Sequence, residues 1–331
     1  MKKLFAFASI AVLMLGMTSC SKENDNIEKT SGDFVVGIAW RSDVDSEFLT
    51  NIQITLNDMG VKNVLLPEVV DSLLPYTNGR IKNECIDEND IIKQYYANIV
   101  KSETYRHSNV TAAVEGVDAV IFTGGEDIAP TLYRTPEPWH QIEAEKDFNA
   151  TRDVNDFLLM SYCLDKEIPL VGFCRGSQML GVVSGATVIQ DIPVWFQQQG
   201  LSYNFEHRNE KATPTSYRDY APHSVNISEG SILATLFETT VVDGCPSWHH
   251  QAVNKTEETN LVVSGTTTVS GIKMVEGIER KDKKLAIGLQ FHPEAAYVKH
   301  LNGAENAGMF MTREQVATFF RNFVTKAKAL R

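Results

Sequence analysis

Cysteine is scarce in this chain, and where it occurs it forms no recognisable framework. There are 5 cysteines, Cys20, Cys85, Cys163, Cys174 and Cys245. Their spacing matches neither a dense disulfide scaffold nor a paired metal motif, so no structural disulfide is assigned. A basic stripe is missing as well. Against 42 Asp plus Glu stand 31 Lys plus Arg, giving a net charge of -11. That balance excludes the clustered cationic grip a nucleic-acid backbone requires. No apolar run is long enough to make a comfortable transmembrane span. There is no internal repeat, and after Gly32 no clear linker divides the chain. What remains, at 331 residues with 43% hydrophobic and 22% charged side chains, is an ordinary soluble composition with material for a sizeable core.

The first segment has a different character. Lys2 and Lys3 precede an apolar run from Leu4 to Met17, followed by Thr18-Ser19-Cys20. Charged, apolar and small-residue parts in that order predict a secretory signal over residues 1–19. A cysteine directly after a small residue resembles a bacterial lipobox, which implies lipidation at Cys20 and an envelope lipoprotein held to the membrane only by its N-terminal lipid. Met17 is a less usual occupant of the apolar lipobox position, so plain secretion is the alternative. Residues 20–32 are polar without apolar periodicity and read as a tether. The folded domain is expected over residues 33–331.

Within that domain, short apolar strands alternate with helical patterns. Phe34 to Ala39 reads as a buried strand, followed by Phe48, Ile52 and Leu56 at helical spacing. Val64 to Leu66 suggests the next strand. Asp71 to Gly116 is irregular, with a helix expected around Ile91 to Val100. Asp118 to Phe122 and Pro169 to Phe173 are two further strands, bracketing a helix over Thr151 to Asp165. Leu261 to Val263, Lys273 to Glu279 and Leu285 to Phe291 look like later additions. Thr312 and Gln315 form a capping-box pair ahead of Val316, Phe319, Phe320 and Phe323, so a closing amphipathic helix is expected. The alternation predicts an α/β fold with a doubly wound, mostly parallel sheet flanked by helices.

Two stretches carry chemistry. Gly172-Phe173-Cys174-Arg175-Gly176 is a small-x-nucleophile-x-small pattern between a strand and a helix. Glycine on both sides permits a strained turn and close approach of neighbouring chains. A thiol at the start of the helix Arg175 to Val183 also meets the positive end of its dipole. Taken alone the pattern is equally compatible with a buried core cysteine. The second stretch is Phe291-His292-Pro293-Glu294, at a strand end, where a general base can reach a nucleophile on another strand of the same sheet. Glu294 is placed to hold the second ring nitrogen. Cys174, His292 and Glu294 together make a candidate triad.

These residues, with several separated motifs, resemble the class I glutamine amidotransferase-like superfamily and more closely its γ-glutamyl-γ-aminobutyrate hydrolase branch. The motifs are Gly124-Gly125-Glu126-Asp127-Ile128-Ala129-Pro130 with Tyr133, Arg152-Asp153, the elbow from Gly172 to Gln178, Gln190-Asp191, His223-Ser224-Val225, and Ser247 to Gln251. The resemblance spans roughly Val36 to the final helix. It implies cleavage of γ-glutamyl amide or isopeptide bonds by Cys174, His292 and Glu294 through a thioester, with no cofactor. The backbone N–H groups of Gly125 and Arg175 are the expected oxyanion donors, beside Gly124. Gln178, His249 and His250 are expected to line a pocket for a small γ-glutamyl substrate or peptide. His249-His250 is not read as a metal site: adjacent extended residues point to opposite sides, and no HExxH or cysteine cluster accompanies them.

The chain departs from the family pattern at Ser184-Gly185, where two glycines are usual, and at Pro246-Ser247, where Asn-Ser is usual. These changes bear on substrate identity more than on chemistry. Trp195 to Tyr220 is long for a connection and reads as either a lid or a disordered surface loop. Two other functions fit the same fold: a glutaminase subunit donating ammonia to a synthetase, and a binding protein without turnover. Export argues against the first, because such synthetases consume ATP. Oligomeric state has no sequence signal here.

Overall fold

Four-residue runs with no polar face become the buried strands at the centre of the molecule. In the computed structural model, which describes residues 33–331 apart from 141, 143–145, 205, 211–212 and 214–217, nine strands form one sheet. They are β1 (Val35–Ile38), β2 (Lys62–Leu65), β3 (Ala119–Phe122), β4 (Leu170–Phe173), β5 (Ala221–Ile227), β6 (Val241–Ser247), β7 (Leu261–Val269), β8 (Ile272–Arg280) and β9 (Ala286–Leu289). The spatial order is β2-β1-β3-β4-β9-β8-β7-β5-β6. The signal, the tether and Cys20 expected at residues 1–32 lie outside the described residues. Asp33–Arg331 is a single compact unit, and no helix in the described residues is long and apolar enough to cross a membrane.

The sheet is mixed: the expected doubly wound parallel part continues into antiparallel strands. β2, β1, β3, β4 and β9 run parallel, whereas β8, β7, β5 and β6 are joined antiparallel to one another and to β9. β5 and β6 were not recognisable in sequence. Each is broken by proline and partly exposed, as suits strands near a sheet edge, where alternation is weak.

Helices cover both faces. On one side Ala150–Asp165 and Arg175–Val183 pack with Gln94–Glu103 over Val120, Phe122 and Leu170. On the other, Glu47–Asp58, Ile232–Phe237, Pro293–Leu301 and Arg313–Lys328 cover Val36, Ile121, Val171 and Ile287. The last helix begins at the expected capping box: Thr312 accepts from the Gln315 backbone, and Gln315 accepts from the Thr312 N–H at 2.8 Å. It buries Phe319, Phe320 and Phe323 completely, each contributing roughly 2 kcal/mol of transfer free energy. Phe320 lies 5.8 Å from Phe173 between ring centroids, so this helix backs the strand that carries Cys174. At the opposite end of the sheet, Asp118 accepts from the Val35 N–H at 2.8 Å and from Arg331 Nε at 2.8 Å, and Arg331 Nη2 donates to the Asp33 carbonyl. The two ends of the unit therefore meet beneath β1.

Trp195 to Gln198, at the start of the long connection expected from sequence, belongs instead to the helix Ile192–Gln198. Asp191 caps that helix by accepting from Val194 N at 2.8 Å.

Candidate active site

Open parallel sheets present their functional groups at the carboxyl ends of the strands, near the point where strand order reverses. Here that reversal falls between β1 and β3, and Gly124, Cys174 and His292 follow β3, β4 and β9. β4 and β9 are in parallel register, Phe173 beside Leu289, and the Cys174 N–H donates to the Leu289 carbonyl at 2.7 Å. The strands that lead to Cys174 and to His292 are thus neighbours.

Cys174 sits at φ 50° and ψ −107° before the helix Arg175–Val183. A non-glycine residue at such a φ costs on the order of 1–3 kcal/mol and is kept only where its surroundings enforce it. The enforcement is steric. A Cβ on Gly172 would lie 2.3 Å from the Gly176 carbonyl carbon, and one on Gly176 would lie 2.5 Å from the Phe122 carbonyl oxygen. Only glycine lets β3, the elbow and the helix approach this closely. The four cysteines of the described residues carry free thiols. Burial pushes Cys85, Cys163 and Cys245 up, which keeps them protonated.

His292 and Glu294 are both buried, and His292 Nδ1 lies 2.7 Å from Glu294 Oε1. Burial alone would lower the imidazole pKa, but the Glu294 carboxylate and Cys174 outweigh it and raise His292 to about 10. The ring stacks on Phe48 at 4.9 Å and meets Tyr220 edge-on at 5.4 Å. Trp248 stands beside both, 6.1 Å from Phe48 and 5.2 Å from Tyr220. This aromatic wall was not anticipated; its members come from three distant segments and share no motif.

The turn after β3 is held from below. Arg41 and Arg152 both donate to the Gly124 carbonyl, and Arg152 also reaches Thr123 and Glu126. A Cβ on Gly124 would fall 2.6 Å from His292 Cε1, and one on Gly125, at φ +142°, would fall 2.0 Å from Arg152 Nη1. The Arg152-Asp153 pair noted in sequence serves this support, since Asp153 accepts from Ala129 N at 3.1 Å and pairs with Arg175 at 2.7 Å. Arg175 points its side chain into buried Asp153 and Asp156, leaving only its backbone at the elbow. Gln178, expected as a substrate contact, is 3% exposed and donates to the Gln251 carbonyl at 3.3 Å. It braces the site from behind.

His249 and His250 do face opposite ways. His250 bridges Asp127 at 3.0 Å and Asp191 at 3.2 Å. Burial opposes its charge, but these two carboxylates prevail and raise it to about 9. His249 instead turns inward toward His207, His223 and Glu276, a group with metal-ligand composition.

The family profile that matches residues 83–294 is that of Peptidase C26. Protein NtpR of Enterococcus hirae is 30% identical over 201 residues, covering 60% of this chain and 75% of NtpR. The γ-glutamyl-γ-aminobutyrate hydrolase PuuD of Escherichia coli is 28% identical over 151 residues, 45% of this chain and 55% of the relative. A solved structure of a glutamine amidotransferase from Thermotoga maritima aligns with a TM-score of 0.43 at 14% identity, over 90% of this chain and 96% of its own. With well over half of its length matched, the chain belongs to the peptidase C26 family, a glutamine amidotransferase-like group of hydrolases.

Proposed function

We propose that this protein hydrolyses γ-glutamyl amide or isopeptide bonds, with Cys174 as nucleophile, His292 as proton carrier and Glu294 as its orienting partner. The observation that carries the reading is His292 at a strand end, next to strained Cys174, with its other nitrogen held 2.7 Å from Glu294. A thiolate on Cys174 adds to the γ-carbonyl carbon, and the Gly125 and Arg175 N–H groups are the proposed donors to the resulting oxyanion. Collapse breaks the C–N bond as His292 donates its proton to the leaving amine. A thioester remains. Water then adds to the thioester carbonyl, giving a proton to His292, and γ-glutamate leaves as the Cys174–carbon bond breaks.

Family membership and the γ-glutamyl-γ-aminobutyrate hydrolase among the relatives support the substrate class. The leader-like residues 1–19 and Cys20 support action at the cell envelope, on small γ-linked glutamyl peptides from wall turnover or from the surroundings. Release of p-nitroaniline from γ-glutamyl-p-nitroanilide, and of amine from γ-glutamyl amines, tests the chemistry against Cys174→Ala. The variant is expected to lose at least about a thousandfold in kcat; equal release from both proteins overturns the assignment. Mass spectrometry of muropeptides after treatment tests the wall-derived class, and an unchanged profile removes it.

A further inference from the structure

Behind the candidate active site, four side chains from four separate segments converge on one point. His207 comes from the connection preceding β5, His223 from β5, His249 from the turn after β6, and Glu276 from β8. All lie in the interior, three of them at 0–2% exposure and His223 with a side chain 8% exposed. Their ligand atoms all fall within 4.8 Å of one another. The Nε2 atoms of His207, His223 and His249 lie 3.1, 3.7 and 3.7 Å from a Glu276 oxygen. Ligand atoms about 2.1 Å from a tetrahedral ion stand roughly 3.4 Å apart, so little adjustment is needed to close a shell.

Proton bookkeeping argues that something positive belongs there. Nδ1 of His249 faces the Gln251 carbonyl at 2.8 Å, and Nδ1 of His223 faces the Ser224 carbonyl at 3.3 Å. A carbonyl only accepts, so both rings carry their proton on Nδ1 and turn a bare Nε2 lone pair inward. His207 Nδ1 lies 3.1 Å from the Tyr203 hydroxyl, which also accepts from the His207 backbone N–H. Nε2 of His207 and His249 and both oxygens of Glu276 make no hydrogen bond among the described residues. Among the described residues two contacts compete with an ion: the Ser247 hydroxyl, 2.5 Å from His223 Nε2 and able to turn aside as a rotor, and Glu276 Oε1, 3.1 Å from His207 Nε2. Lone pairs converging on a buried carboxylate repel one another unless a cation stands between them.

We propose that His207, His223, His249 and Glu276 bind a divalent transition ion of the zinc type in a closed, four-coordinate, structural site. Three imidazoles and a carboxylate form a borderline ligand set suited to zinc, and the outer hydrogen bonds on each Nδ1 are what orients metal-ligating histidines. With all four positions supplied by the protein, the ion holds rather than reacts. It ties the connection before β5 to the antiparallel half of the sheet. It also steadies the segment leading to His292, because the Gln290 N–H donates to the Glu276 carbonyl and the His292 N–H to the Pro246 carbonyl.

Elemental analysis of tag-free, full-length protein, before and after dialysis against a strong chelator and reconstitution with zinc, tests this. The expected result is one zinc per chain, restored on reconstitution, with a melting temperature that falls on chelation and recovers with zinc. Cobalt in place of zinc is expected to give the intense visible bands of a four-coordinate ion. His207→Ala and Glu276→Gln are expected to lose the stoichiometric metal while Cys174→Ala keeps it. Failure to take up stoichiometric zinc after reconstitution overturns the proposal. So does undiminished zinc in both ligand variants. A variant that does not fold shifts the decision to the wild-type chelation and cobalt measurements, which stand without it.

Discussion

His292 determines how the candidate site answers to pH, because burial and two neighbours compete over its proton. Its pKa is raised from 6.5 to about 10. The ring therefore remains an acid through neutral pH, able to protonate a leaving amine, and acylation is expected to decline only as pH rises through about 10. Replacing Glu294 with Gln removes the partner that raises the pKa most and leaves burial opposed by Cys174 alone. The alkaline limb of kcat/KM should then move to lower pH by more than about one unit, with kcat falling more than KM rises. An unmoved limb in Glu294→Gln would show that Glu294 does not set the state of the ring. Gly124→Ala is a steric counterpart. Its Cβ would fall 2.6 Å from His292 Cε1, so activity should drop roughly a hundredfold through displacement of the ring. A full-rate Gly124→Ala enzyme would mean that the ring can move without loss.

At the scale of elements, the elbow and the final helix were both legible in the sequence, and for the same reason. Each is specified by residues close together in the chain: Gly172 and Gly176 around Cys174, and Thr312 with Gln315 ahead of a phenylalanine stripe. Removing the cap tests how far the helix serves the site. Thr312→Ala is expected to cost about 1 kcal/mol in denaturant melts, with kcat nearly unchanged. A large loss of kcat would mean that the packing of Phe320 on Phe173 positions the elbow directly. β5, β6 and the aromatic wall were illegible because their periodicity is interrupted and their partners lie far off in sequence. The His207, His223, His249 and Glu276 group was hidden by the same distance. Inspection of His249-His250 as a local motif saw the alternation of faces correctly, but not what waited on the inner face.

For the molecule as a whole, the α/β class followed from buried runs alternating with helices, whereas the antiparallel half of the sheet did not. His250 couples the two halves. It links Asp127, after β3, to Asp191, the cap of the helix Ile192–Gln198. Its pKa is raised in the folded state from 6.5 to about 9, so the stability it supplies is fully present below about pH 6.5 and is lost as pH rises through about 9. The amount is on the order of 3 kcal/mol. Unfolding free energy measured across that range should fall less steeply in His250→Gln than in the wild type, the slope that remains coming from His292. Equal slopes would mean that the charge on this ring does not hold the halves together.

The meeting of Asp33, Asp118 and Arg331 beneath β1 fixes a direction. Cys174 lies at the carboxyl rim of the sheet, whereas this cluster closes the amino end of β1. A disturbance of that clasp is therefore felt at the floor of the domain, a strand's length away from the thiol.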